Sequence, residues 1–146
     1  MASRRREPVA ELAPKRRARS STYPITARPA SVVVVEDYDG LRDAIADALR
    51  YAGWDVHTFV DPEEALTFIR CEVPTMVLTD FNTGALTGPA LARELRLDPA
   101  TRNIPIVGMS GSVHPTERML SYFDLFLPKP LDLSELDGRL RSVLGG

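Results

Sequence analysis

A run of four valines in this chain ends in acid, as Val32-Val-Val-Val-Glu36-Asp37-Tyr38-Asp39. Three other apolar runs end in single polar groups: "MVLTD" in Asp80, "IVGMS" in Ser110 and "FLPK" in Lys129. Two carboxylates ~4 Å apart repel by about 4 kcal/mol at an effective dielectric of about 20. If Glu36, Asp37 and Asp80 converge, they must bind a cation or keep a proton. Oxygen ligands with no His or Cys among them suit a hard ion, Mg2+ or Mn2+, that retains several waters. Add the Lys129 ammonium and the Ser110 hydroxyl, and the site suits a phosphoryl group: the cations neutralise its oxygens and the hydroxyl donates a hydrogen bond. No other nucleophile is in place, so a carboxylate must attack and form an aspartyl-phosphate. Lys129 is the only lysine among ten basic residues after position 30. A compact point charge suits that position better than the planar fork of arginine.

These groups need elements that bring them together. The apolar runs predict strands over 32–35, 56–60, 76–79, 104–109 and 125–127. Helix signals lie between them. Asp39 is expected to cap a helix with inner residues Leu41, Ile45, Ala48 and Leu49, stopped by Gly53. Asp61-Pro62-Glu63-Glu64 and Asp132-Leu133-Ser134-Glu135 read as capping boxes, the first with proline at the opening helical position. A third helix is expected over 88–97, and a short one opened by Pro115 and reaching about Tyr122. Strand–helix alternation of this kind predicts an α/β fold, a doubly wound five-stranded parallel sheet with helices on both faces. The unbroken valines fit a central strand buried on both sides. In such sheets the site lies outside the carboxyl ends of the strands, where the polar groups stand. The second strand runs instead into Asp61, which has a capping task.

Composition limits the alternatives. The 146 residues allow about one domain. Cys71 is the only cysteine, which excludes an internal disulfide and a cysteine zinc site and fits a reducing, cytoplasmic setting. No apolar stretch is long enough to span a membrane. The net charge of −2 conceals a split: residues 1–30 hold eight basic and two acidic groups, and the remainder is strongly acidic. The first thirty residues, with four prolines and no hydrophobic period, read as a disordered basic tail suited to an acidic partner or to nucleic acid. The twin arginines lack the apolar segment of a secretion signal. His57 and His114 match no metal spacing and read as surface groups.

Over residues 31–146 the chain resembles the receiver domain of two-component response regulators. "VVVVED", "MVLTD", "GMSG" and "FLPKP" stand in that family's order, and Gly88 lies eight residues after Asp80, as the family's glycine does after its acceptor. The resemblance implies the flavodoxin-like strand order 2-1-3-4-5, with Asp80 as phosphoacceptor. It implies Mg2+ held by Asp37, Asp80 and the backbone carbonyl of Asn82, with Glu36 acting through a water. Ser110 would bond the phosphoryl group, Lys129 would pair with it, and the Lys129–Pro130 bond would be cis. Phe126 takes the position of the aromatic switch, which turns inward as Ser110 moves and remodels the face of helix four, strand five and helix five. The implied donor is a histidine kinase or histidine phosphotransfer protein. With nothing after Gly146, the implied type is a stand-alone receiver that signals by contact with an output protein.

The chain departs from the family pattern in three places. Gly84 stands in "FNTGALTG" where proline is common. The interval from Ser110 to Lys129 is short, which implies a shortened fourth helix. "SYFD" replaces the usual Gly-Ala before the fifth strand. Two other classes stay open. Asp37-Tyr38-Asp39 after valines resembles the nucleophile motif of haloacid-dehalogenase-like phosphohydrolases, which would make Asp37 the nucleophile. A receiver-like scaffold that works without phosphorylation is the other.

Overall fold

The structure, a computed structural model, describes residues 29–83, 86–111 and 115–145. Most of the basic segment, together with Gly84 and His114, lies outside them. In chain order the elements are β1 (Ser31–Val35), α1 (Asp39–Tyr51), β2 (Asp55–Phe59), α2 (Pro62–Cys71), β3 (Met76–Asp80), α3 (Gly88–Leu97), β4 (Ile106–Ser110), α4 (Glu117–Leu120), β5 (Leu125–Pro128) and α5 (Leu133–Val143). The five strands are parallel and ordered β2-β1-β3-β4-β5. This is the 2-1-3-4-5 order, and it sets the ends of β1 and β3 side by side.

The valine run is explained by the layers. Val32 and Val34 pack with Ile45, Leu49, Leu136 and Leu140 from α1 and α5. Val33 and Val35 pack on the other face with Ile69, Leu91 and Leu95 from α2 and α3. All four valines are fully buried, and each such side chain contributes roughly 1.5–3 kcal/mol. A strand anchored on both faces gives Glu36 and Asp37 a rigid base.

Several helix ends match their sequence signals. Asp61 accepts from the Glu63 amide ahead of Pro62, and Asp132 accepts from the Ser134 amide. Gly53 takes φ 101° just past α1, a conformation that favours glycine. Three expectations need correction. Asp39 does not cap α1: it is the first helical residue, and Tyr38 stands at the cap without a side-chain bond. The Asp39 carboxylate turns instead to the Arg42 guanidinium, 2.7 Å away. Pro115 does not open α4. Thr116 caps it by accepting from the Met119 amide, and the helix is only four residues long, so the expected shortening is present and Tyr122 lies beyond it. β4 begins at Ile106 rather than Ile104, because Pro105 lacks an amide to donate and Ile104 closes a turn onto the Thr101 carbonyl.

The short route into β5 is held by long-range polar contacts. Asp124 accepts from the Ile106 amide and from Arg96, both at 2.8 Å. Arg96 also donates to the carbonyls of Tyr122 and Ile104. The fold extends upstream at least to Ala30, which packs on the core and accepts from the Asp55 amide. Among the described residues no helix is long and apolar enough to cross a membrane.

Candidate functional site

The polar strand ends meet at one edge of the sheet. Glu36, Asp37 and Asp80 each offer an oxygen, and the three oxygens lie within 4.8 Å of one another. Glu36 and Asp80 are buried, at 1% and 6% exposure, while Asp37 is exposed. Lys129 reaches in from the end of β5, with Nζ 2.9 Å from Glu36 Oε1 and 3.3 Å from Asp80 Oδ1. Its amide donates to the Ser110 carbonyl at 2.8 Å, which ties β5 to the end of β4. Ser110 is buried as the last residue of β4. The Lys129–Pro130 bond is cis. Asn82 is exposed two residues beyond Asp80.

The charges do not balance. Three carboxylates face one ammonium in this cluster, leaving two negative charges. Burial raises the Glu36 pKa, opposed by hydrogen bonds from Lys129 and the Tyr38 amide and reinforced by the Asp80 charge. Burial works to lower Lys129, but the Glu36 bond and the Asp80 and Glu36 charges outweigh it and hold the ammonium above its ordinary range. The cluster thus grips its one cation and still carries excess negative charge. That donor set, all oxygen, fits a hard divalent ion.

Gly88 explains its own spacing from Asp80. The loop after β3 returns so closely that a Cβ on Gly88 would lie 2.3 Å from the Asp80 carbonyl oxygen. The Gly88 amide donates to the Phe81 carbonyl at 3.0 Å. Only glycine lets α3 start against the backbone of Asp80 itself.

Several residues of the site carry little local signal in the sequence. Phe81 is buried, stacks on Phe123 at 5.0 Å and meets Phe126 edge-on at 5.1 Å. The half-buried Phe126 therefore rests against the residue that follows Asp80. Gly108 lies opposite Phe126 in the sheet register. A Cβ there would come 2.6 Å from the Phe81 ring and 3.0 Å from Phe123, so Gly108 makes room for the stack. A glycine inside "IVGMS" was the available signal, since strand glycines mark close approaches. Arg42, near the acidic turn, is another such residue.

A family model of the response regulator receiver domain matches residues 32–141. The chain belongs to the response regulator receiver domain family. The response regulator MprA of Mycolicibacterium vanbaalenii is 30% identical over 119 residues, covering 80% of this chain and 51% of that protein. The chain spans about half the length of the curated relatives it matches. Among solved structures, a CheY-like receiver domain of Methylobacillus flagellatus is 25% identical with a TM-score of 0.72, covering 79% of this chain and 98% of its own. The receiver domain of the sensor histidine kinase PA1611 of Pseudomonas aeruginosa shares the fold, with a TM-score of 0.73 and 24% identity over 81% of this chain and 99% of its own. That structure has a magnesium ion coordinated in its active site cleft. Membership in the receiver family does not favour a dehalogenase-like phosphohydrolase. Nor does Asp39, the second acid of that motif, whose side chain is 81% exposed and paired with Arg42.

Proposed function

We propose that Asp80 accepts a phosphoryl group from a histidine kinase or histidine phosphotransfer protein, and that the modified receiver signals by altered contact with an output protein. The observation that carries this is the buried Asp80 carboxylate at the end of β3, clustered with Asp37 and Glu36 and 3.3 Å from the Lys129 ammonium. Asp37, Asp80 and the Asn82 carbonyl would hold Mg2+ or Mn2+, with Glu36 acting at one remove through a water. When bound, the ion neutralises the cluster and the incoming phosphoryl oxygens. An Asp80 oxygen attacks phosphorus, the P–N bond of the donor phosphohistidine breaks, and the nitrogen leaves with the electron pair and takes a proton. Lys129, already beside Asp80, pairs with the new phosphoryl oxygens. Ser110 donates a hydrogen bond to them. Phe126 responds to the movement of Ser110 and changes the α4–β5–α5 face, a two-state element biased by local charge.

In this reading the domain turns over only its own phosphorylation, with residues 31–146 as the receiver unit in the cytoplasm. The basic segment 1–30 is the contact for an acidic partner or nucleic acid. The test is labelling with acetyl phosphate and Mg2+, with mapping of the acyl phosphate. Label at Asp80 that is lost in Asp80→Asn is expected. Label at Asp37 with rapid turnover of small phosphate esters would overturn the reading. Absence of label, with no spectral response to beryllofluoride, would favour the phosphorylation-independent scaffold.

A further inference from the structure

Asp37 is the exposed member of the carboxylate cluster, on the turn between β1 and α1. Both peptide planes flanking its Cα are nonetheless held. The carbonyl before it, that of Glu36, accepts from Arg42 Nη1 at 3.1 Å. The amide after it, that of Tyr38, donates to Glu36 Oε2 at 3.1 Å. The other arm of the same guanidinium, Nη2, bonds Asp39 Oδ1 at 2.7 Å. One side chain thus spans the turn, and it does so while only 14% exposed. Lysine could not reproduce this, because its single ammonium lacks the rigid fork that serves two acceptors at fixed directions.

We propose that Arg42 is a positioning residue for the cation: it orients the turn so that Asp37 faces Asp80, and it holds Asp39 out of the cluster. This rests on the cation site proposed above. Two physical effects of Arg42 have opposite signs. As a nearby positive charge it opposes cation binding, so its field alone predicts that removal tightens Mg2+ binding. As a brace of the Asp37 backbone it favours binding, so positioning predicts that removal weakens it. Partners that orient metal ligands typically contribute 10–100-fold in affinity, and positioning is the effect that wins here.

The experiment is calorimetric titration of Mg2+ into wild type, Arg42→Met and Arg42→Lys. Weakening of roughly tenfold or more is expected in both variants, with Lys failing to rescue although it keeps the charge. In the metal-free proteins, hydrogen exchange of the Tyr38 amide should be faster in both variants, while urea midpoints followed by Trp54 fluorescence stay close to wild type. Equal or tighter Mg2+ binding by Arg42→Met, or full rescue by Arg42→Lys, would overturn the proposal. Should Arg42→Met not fold, Arg42→Lys and Asp39→Asn decide it, the latter expected to weaken binding less than Arg42→Lys. Wild type that binds no Mg2+ would count instead against the cation site itself.

Discussion

Replacing Gly88 by alanine tests how tightly the acceptor strand is built into the fold. The added Cβ would lie 2.3 Å from the Asp80 carbonyl oxygen, 2.9 Å from Phe81 Cα and 3.0 Å from the Asp80 carbonyl carbon, where ordinary contact begins at 3.4 Å. All three neighbours are backbone atoms, so no rotamer change can relieve the overlap. Either β3 or the start of α3 must move by about an ångström, at the upper end of overpacking penalties, about 3 kcal/mol. The Gly88–Phe81 hydrogen bond would be strained as well, adding about 1 kcal/mol. A loss of about 4 kcal/mol is a large share of the 5–15 kcal/mol of a typical domain. Urea unfolding followed by Trp54, the only tryptophan and a buried one, reads it directly. Gly138→Ala is the matched control. It lies exposed in α5 with nothing within 4 Å of its Cβ position, and should gain roughly 0.8–1 kcal/mol. Under conditions where Gly88→Ala stays folded, labelling of Asp80 should slow at least tenfold, since misplacement by about an ångström costs up to 100-fold. A Gly88→Ala protein within about 1 kcal/mol of wild type and labelled at the normal rate would refute this account of the β3–α3 junction.

Two further outcomes follow from the site. Glu36 has a raised pKa in the folded chain, so its protonated form stabilises the metal-free protein below the ordinary value of 4.5, and that stability is lost as pH rises through the raised value. Lys129→Met removes the ammonium that offsets this, so the variant should be least stable relative to wild type above the raised Glu36 value and close the gap as pH falls towards the ordinary 4.5; urea midpoints in chelator that differ by a constant amount would contradict it. Gly108→Ala should disturb the Phe81–Phe123 stack less than Gly88→Ala disturbs the backbone, because its close neighbours are ring carbons at 2.6 and 3.0 Å. Adding Phe123→Leu should recover part of the loss, with a double-mutant coupling of at least about 0.5 kcal/mol, and strict additivity would count against the stack.

Much of the molecule was legible because its signals are local. Apolar runs placed the strands to within two residues, and Asp61-Pro62 and Asp132 capped the helices that they announce. Asp80, Ser110 and Lys129 were visible as polar groups at strand ends. The failures share a cause. Asp39 carries the side chain of a cap, yet the Arg42 guanidinium competes for it and wins. Phe81 has no burial signal of its own, because Gly108 from β4 and Phe123 from beyond α4 create its buried place. "SYFD" stands as a departure from the family pattern, and its packing use emerges only where Phe123 joins the stack and Asp124 closes onto Ile106 and Arg96.

The sequence by itself determined which chemistry is available: hard oxygen ligands, one ammonium, one hydroxyl and no competing thiol or imidazole among the strand-end groups. It also determined where each group stands along its own strand, because hydrophobic period and capping act over a few residues. The tertiary structure alone decided which of those groups meet. Lys129 reaches Glu36 across 93 positions of chain only because β1, β3, β4 and β5 lie in register in one sheet. It also decided how firmly Glu36 holds its proton, since burial that no neighbour in the chain imposes raises its pKa. Burial and long-range pairing belong to the packed sheet, which is why acids that lie far apart in an extended chain become one site.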